Sequence, residues 1–297
     1  MTYVELQSCG LSHVKPNGKI LGIPGVSPPC RTPSGARHNG RMRITIVSGA
    51  DGAPFVHDLA ARLGPADQLT VIAPTVRDHW SAWLKASPDL DALLLVPGTP
   101  TTYAVADQLR TIEYSPTWQR TSDQDVATRL VRTELIGTGF SLTEATLAAA
   151  TRSGLPYALL PACEQRAELH VVVGGDEPRA VHVEEYLADP AAHSPTETVL
   201  VAESLSVSPA VTTTLQQTDV LVLAPSSRTL AIDPVLRVPG FLDLVSADLP
   251  VVVVDHEDPA PADLVRVAGL REPDPGAVRT SPADAAAVVD LARRITA

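Results

Sequence analysis

Lysine, cysteine and aromatic residues are scarce in this 297-residue sequence. Its three cysteines (Cys9, Cys30 and Cys163) are too few and too scattered for a disulfide scaffold or a four-ligand zinc site. No apolar run reaches the roughly 18 residues that span a bilayer, and the N-terminus lacks the order of segments that marks a secretory signal. These absences predict a cytoplasmic protein with no membrane partner.

Positive charge is also in short supply. The chain has 23 Lys+Arg against 34 Asp+Glu, a net charge of −11. A surface that neutralises nucleic-acid phosphates needs clustered Lys and Arg, so no nucleic-acid partner is expected. A small anionic substrate would require a local basic pocket or a metal ion. The 44% of hydrophobic residues indicates a globular chain.

Residues 1–41 differ in composition from the remainder. They carry five basic residues against the single acid Glu5, with scattered Gly, Pro and Ser and no apolar period. We expect a disordered N-terminal extension that carries no chemistry. Met42 precedes the first strand pattern, so an alternative interpretation is that translation starts there. The folded domain is predicted to span 42–297.

From Arg43 onwards, short β-branched runs alternate with helical patterns. The continuous apolar runs at 220–224 and 251–254 are typical of strands covered on both faces by helices. Two runs in the middle, at 168–173 and 180–186, flank Gly174-Gly175 and predict a hairpin. The fold class is therefore α/β: a doubly wound, mostly parallel Rossmann-like sheet with an antiparallel hairpin insertion. A single helix is expected at 233–246.

The turn after the first strand is made of small residues and contains Gly49, Asp51 and Gly52, with Pro54 at the first turn of a helix. Such a turn lets backbone N–H groups approach a phosphate. Any tight strand-to-helix turn also favours glycine, so a purely structural role stays open. The turn does not match a full Walker or dinucleotide fingerprint.

Asp78 follows the second strand, at the sheet edge where α/β proteins bind ligands. Its carboxylate could hold a cation or accept a substrate proton. A helix cap or a solvated charge is the alternative interpretation.

Three further segments offer candidates. Arg129 and Arg132 lie on one predicted helix, and either guanidinium could clamp a phosphate or form a structural pair. Ser226 and Ser227 follow another buried strand, where hydroxyl and amide groups could bind a nucleotide. The run at 255–258, Asp-His-Glu-Asp, has the composition of a metal site or of an acidic surface loop.

Several of these segments together carry a family resemblance. They are Pro88-Asp89-Leu90-Asp91, the stretches at 118–134, 141–146 and 159–161, and the pair Leu223-Ala224-Pro225-Ser226-Ser227 and 231–240. They resemble the CofD-like family, the 2-phospho-L-lactate or phosphoenolpyruvate transferases of deazaflavin coenzyme F420 biosynthesis. The resemblance extends over about 43–263.

The resemblance implies a reaction. A ribityl hydroxyl of the deazaflavin precursor, 7,8-didemethyl-8-hydroxy-5-deazariboflavin, attacks the phosphate that bears the lactyl or enolpyruvyl group of a guanosine-diphosphate-linked donor, and GMP leaves. Mg²⁺ is implied as cofactor, and a homodimer is compatible with the pattern. By motif match, Asp78 would face the metal or the attacking hydroxyl, whereas Gly49, Gly52, Ser226 and Ser227 would contact phosphate and nucleotide.

The sequence departs from the family pattern in its loops. The first loop, G-G-x-G-G with a following basic residue, has Pro54 near the basic position. The G-D-D loop becomes Val76-Arg77-Asp78, and the Asn after P-S is Ser227. These changes leave an alternative open: a nucleotide- or sugar-nucleotide-binding regulator that kept the fold and lost catalysis.

Overall fold

The structure is a computed structural model that describes residues 41–115, 118–175, 177–254, 256–268, 278–280 and 284–296, with backbone only at 278–280. Residues 1–40 lie outside this range, so the expected N-terminal extension stays a prediction. The described part belongs to a unit that spans 40–297. No described helix is both long and apolar enough to cross a membrane.

Eleven strands occur in the described residues. They are β1 (Arg43–Val47), β2 (Gln68–Ala73), β3 (His79–Ser81), β4 (Leu84–Ala86), β5 (Ala158–Pro161), β6 (Ala167–Val173), β7 (Arg179–His182), β8 (Pro195–Ala202), β9 (Val220–Leu223), β10 (Val251–Val254) and β11 (Val278–Thr280). Six of them form one sheet in the order β11-β10-β9-β1-β2-β5, with every pair parallel. This confirms the predicted doubly wound sheet.

Eleven α-helices connect and cover these strands. They are α1 (Ala53–Arg62), α2 (Pro88–Leu94), α3 (Ala104–Thr111), α4 (Asp123–Gly137), α5 (Leu142–Arg152), α6 (Val183–Ala188), α7 (Pro209–Leu215), α8 (Asp233–Leu236), α9 (Phe241–Leu244), α10 (Ala262–Ala268) and α11 (Ala285–Thr296). The count refers to the described part of the chain alone.

The sheet buries both of its faces. Ile44 and Ile46 of β1 point into a core shared with α1 and α11, whereas Val47 points into a second core with α7 and α9. This alternation is the two-residue period of a strand. All four residues of β9 are buried, as its unbroken apolar run predicted.

β1 is the point from which the sheet is wound in both directions. Its neighbours are β2 on one side and β9 on the other, and the chain reaches β9 only after the whole middle of the protein. In such sheets ligands bind in the crevice outside the carboxyl ends of the strands where the winding reverses. The loops after β1 and β9 flank that crevice.

The antiparallel insertion is confirmed and is larger than the predicted hairpin. β6 and β7 form the hairpin, and β8 pairs with the other edge of β6. The strand expected at 180–186 is wrong beyond His182, because α6 begins at Val183 with the His182 ring accepting a hydrogen bond from the Glu184 N–H. Helix α6 therefore follows β7 directly, with no connecting loop.

The prediction of a single helix over 233–246 is also wrong, because this segment forms two short helices. It is divided into α8 and α9, and between them Gly240 has a φ of 89°. A left-handed residue ends a helix, and glycine adopts that conformation without a Cβ clash. The predicted capping box of Ser141 and Glu144 at the start of α5 is confirmed.

Candidate functional site

The loops after β1 and β9 are joined directly by hydrogen bonds. The Gly49 N–H donates to Ser226 Oγ at 2.9 Å, and the Ser227 N–H donates to Asp51 Oδ2 at 2.6 Å. The Ser226 hydroxyl donates to the other carboxylate oxygen of Asp51. The structure thus brings together Gly49, Asp51, Ser226 and Ser227, which the sequence singled out from positions far apart in the chain.

Packing explains both glycines of the first loop. A Cβ on Gly49 would lie 2.6 Å from the Ala231 Cβ and 2.8 Å from Asp89 Oδ1, and a Cβ on Gly52 would collide with Ser48 Oγ. Neither position has room for a side chain. Contact with phosphate by these residues stays a prediction, because the same geometry serves the join between the loops.

Asp89, in the first turn of α2, lies against the first loop. Its Oδ1 accepts the Ala50 N–H at 2.8 Å, while its buried Oδ2 has no hydrogen-bond partner among the described residues. Only 2% of the residue is exposed, and this burial raises the pKa of Asp89 to about 6 although Arg77 favours the charged form. A carboxylate with a pKa near neutrality and an oxygen that is not hydrogen-bonded is suited to proton transfer.

Arg77, from the loop after β2, lies between two carboxylates. Its Nη1 is 3.2 Å from Asp89 Oδ1, and its Nε donates to Glu184 Oε1 at 2.6 Å. Burial works against the guanidinium charge, but Asp89 and Glu184 raise the pKa of Arg77 above its ordinary value. This residue therefore places a permanent positive charge beside the first loop.

Asp78 is held by a different set of contacts. Its Oδ2 lies 3.0 Å from Lys85 Nζ and accepts the Ser87 hydroxyl at 2.9 Å. Burial raises the pKa of Asp78, and Lys85 opposes that shift. Its predicted role at a metal or a hydroxyl stays a prediction; the contacts favour a role in holding the β3–β4 hairpin against Ser87, the residue before α2.

The helix arginines are engaged as well. Arg129 Nε and Arg132 Nη2 lie 2.9 Å and 2.6 Å from the two oxygens of Asp91, and Arg132 also donates to the Lys85 carbonyl at 3.2 Å. The Arg132 side chain is 2% exposed. Phosphate binding by Arg132 stays a prediction, while its contacts join α4 to α2 and β4.

The acidic run at 255–258 lies partly outside the described residues, since residue 255 is not among them. Asp258 accepts the Ser227 hydroxyl at 2.7 Å, the Thr229 N–H at 3.1 Å and the Ala260 N–H at 2.9 Å. Burial opposes ionisation, but these hydrogen bonds outweigh it and lower the pKa of Asp258. Its carboxylate braces the loop after β9.

The carboxylates near the crevice do not offer a ready magnesium site. Those of Asp89, Glu184, Asp78 and Asp91 each have a basic partner within 3.2 Å, and those of Asp51 and Asp258 accept hydrogen bonds from the loop after β9. Among the described residues, no three His, Cys, Asp or Glu side chains are grouped so as to hold a metal ion. Asp89 Oδ2 has no hydrogen-bond partner in the described part of the chain, but its carboxylate is paired with the Arg77 guanidinium, which repels a second cation. The residues present therefore do not fit the expected Mg²⁺.

Three residues of the site were not singled out as candidates from the sequence. Asp89 lay inside a family motif, and Arg77 was visible as a departure from G-D-D, so both left a signal. Glu184 left none, because its place depends on a helix that the pattern interpreted as a strand.

A doubly wound sheet whose loops meet at the point of reversal defines an α/β protein of the class that binds ligands at the strand ends. The chain belongs to the CofD family: the family described as 2-phospho-L-lactate transferase CofD matches residues 44–256. This confirms the resemblance seen in the sequence and identifies a transferase family.

The similar proteins agree with that assignment. The phosphoenolpyruvate transferase of Kitasatospora aureofaciens is 31% identical over 221 residues, 69% of each chain. That of Streptomyces griseus is 33% identical over 227 residues, 71% of each chain. A solved structure of a UPF0052 family protein from Bacillus halodurans has a TM-score of 0.51 at 15% identity and covers 72% of this chain and 68% of that one, which shows the fold alone.

Proposed function

We propose that this protein transfers a phospho-lactyl or phosphoenolpyruvyl group from a guanosine-diphosphate-linked donor to the deazaflavin precursor in coenzyme F420 biosynthesis. A precursor hydroxyl oxygen bonds to the phosphorus that bears the acid, the P–O bond to GMP breaks, and the hydroxyl proton leaves. The observation that carries the proposal is the direct join of the β1 and β9 loops at the reversal point, in a chain of this family.

The chain's own residues have distinct parts in this reaction. Arg77 faces the phosphates with a charge that does not titrate near neutral pH. Asp89 Oδ2, which is not hydrogen-bonded to any described residue and belongs to a carboxyl with a pKa of about 6, accepts the hydroxyl proton. Ser226 and Ser227 hold the loop after β9 in place through their hydrogen bonds to Asp51 and Asp258.

A cavity of about 240 Å³ at the same edge of the sheet supports the proposal of an acceptor site. It lies between the ends of β2 and β5 and the antiparallel sheet, with Val76, Leu169 and Leu200 among its apolar walls and Thr229 at the side of the β9 loop. Apolar walls with a few polar groups suit a planar aromatic ring system.

The test is a product assay with purified protein, the deazaflavin precursor and, in turn, lactyl, enolpyruvyl and glyceryl donors. The proposal expects GMP and the phosphodiester in equal amounts from at least one donor. Asp89→Asn should lower kcat by about 100-fold or more, because the proton acceptor is lost. Asp58→Asn, which changes an exposed carboxylate of α1, is the matched control.

One observation favours a second candidate, a nucleotide-binding regulator. The Gly49 and Ala50 N–H groups, which could bind phosphate, are already bonded to Ser226 Oγ and Asp89 Oδ1. If guanine nucleotide binds and none of the donors gives product, this candidate replaces the transferase. If no guanine nucleotide binds, both are wrong.

A further inference from the structure

Arg77 occupies the centre of the acidic groups around the first loop. Its Nη1 and Nε contact Asp89 and Glu184, and its remaining terminal nitrogen, Nη2, forms no hydrogen bond with a described residue. The side chain is 17% exposed. A guanidinium has donors for more than one oxygen, and it can hold a carboxylate and a phosphate at the same time.

Most carboxylates of the wider cluster are paired with basic side chains, whereas Asp51, which also acts on Arg77 and Asp89, is held by hydrogen bonds from Ser226 and Ser227. Four carboxylates (Asp78, Asp89, Asp91 and Glu184) are matched by four basic side chains (Arg77, Lys85, Arg129 and Arg132) in contacts of 3.2 Å or less. A divalent cation binds where carboxylates in excess lack other partners. Here such a cation would have to displace or approach basic groups that already neutralise them.

We propose that Arg77 supplies the positive charge that a divalent cation would otherwise provide, so that this chain binds the diphosphate of its guanine nucleotide without a metal. The inference rests on the proposed function, since it assumes that the crevice takes a guanosine diphosphate group. Its sequence counterpart is the replacement of the first carboxylate of G-D-D by Arg77.

The physical basis is that the Arg77 guanidinium takes the place of Mg²⁺ as the positive charge beside the diphosphate. The Arg77 guanidinium is always charged and is oriented by two ion pairs before any ligand arrives, so little freedom is lost when a phosphate oxygen binds Nη2. Mg²⁺, in contrast, usually keeps several waters and needs one or two carboxylates with free oxygens. Here Asp89 Oδ2, which lacks a hydrogen-bond partner among the described residues, is buried and belongs to a carboxylate that is already paired with Arg77.

The experiment is calorimetric titration with GDP, in excess EDTA and in excess MgCl₂. For the unaltered protein, we expect Kd values that agree within about threefold in the two buffers. Arg77→Asp should weaken GDP binding about tenfold or more in EDTA and regain affinity with MgCl₂, because a carboxylate returns to the family position. Bound Mn²⁺ followed by electron paramagnetic resonance should appear only in Arg77→Asp.

Arg152→Asp, at the exposed end of α5, carries the same change in charge and should match the unaltered protein. If Arg77→Asp fails to fold, Arg77→Lys and Arg77→Gln replace it: Lys should retain binding in EDTA, and Gln should lose it. GDP binding by the unaltered protein that requires MgCl₂ overturns this inference and leaves the proposed function standing. No GDP binding in either buffer overturns both.

Discussion

Lys85 Nζ lies 3.0 Å from Asp78 Oδ2, and both side chains are largely withdrawn from water. The pair joins β4 to the loop after β2, and Ser87 adds a hydrogen bond to the same carboxylate oxygen. A buried carboxylate that keeps its charge needs such partners, because desolvation alone favours the protonated form. The Asp78 carboxylate therefore contributes to the stability of the folded protein, whether or not it also takes part in chemistry.

We therefore expect Asp78→Asn to destabilise the protein by about 3 kcal/mol, since it leaves the Lys85 ammonium buried without its counter-charge. Urea unfolding at neutral pH measures the change. Asp58→Asn removes a carboxylate of the exposed Arg62 pair and should cost less than about 1 kcal/mol. Equal stability of Asp78→Asn and the unaltered protein, with lost turnover, would restore Asp78 as a catalytic residue.

Asp89 should give the stability a pH dependence of known sign. Its pKa rises from 3.8 to about 6 in the folded protein, so the folded state keeps a proton that the unfolded chain loses. This contribution is complete below pH 3.8 and is lost as the pH rises through about 6. The shift corresponds to about 3 kcal/mol.

The measurement is the free energy of unfolding of Asp89→Asn and of the unaltered protein between pH 4 and 7. The difference between them should change across this window, because asparagine does not titrate. A constant difference would mean that Asp89 has the same pKa in both states.

Elements with a continuous apolar run were predictable. β1, β9 and β10 are recognisable in the sequence because both faces of the sheet are covered by apolar cores. Since β1 and β9 are neighbours in the sheet, the loops that follow them bring Gly49 to Ser226. Contacts of this kind can be predicted from the strands alone, because the carboxyl ends of adjacent parallel strands meet at one edge of the sheet.

The rest of the site depends on turns that carry no signal. The β3–β4 hairpin that carries Lys85 turns through Ala82 and Trp83 with φ of 49° and 64°, a conformation that these residue types rarely adopt. Glu184 reaches Arg77 only because α6 begins directly after β7. Tertiary packing decides both features, so propensity could not place either charge.

The glycine of the first loop provides a test of the loop join. Gly49→Ala places a Cβ 2.6 Å from Ala231 and 2.8 Å from Asp89 Oδ1, so the β1 and β9 loops must separate. We expect a loss of about 2 kcal/mol in stability and weaker nucleotide binding. Gly137→Ala, at the end of α4, adds a Cβ with no described atom within 4 Å beyond its own helix, and should instead stabilise by about 0.5 kcal/mol. Thermal unfolding with and without GDP distinguishes the two variants, and an unchanged Gly49→Ala would contradict the close contact.

His182 should act on stability in the direction opposite to Asp89. Burial, with the His79 and His170 rings at 4.9 Å and 5.4 Å, lowers the pKa of His182 to about 4 although Glu184 opposes the shift. Between pH 6.5 and about 4, His182 is therefore neutral in the folded protein but protonated in the unfolded chain. The stability contribution is present above pH 6.5 and is lost as the pH falls towards 4.

His182→Asn tests this assignment, because asparagine still accepts the Glu184 N–H at the start of α6 but does not titrate. Near neutral pH the variant should be close to the unaltered protein in stability. Towards pH 4 it should be more stable by about 2 kcal/mol, a value reduced for the partial exposure of the ring. Unfolding in urea at pH 7 and pH 4 gives both values. A variant that is weaker by the same amount at both pH values would show that the imidazole contributes packing and no proton linkage, since only titration makes the difference depend on pH.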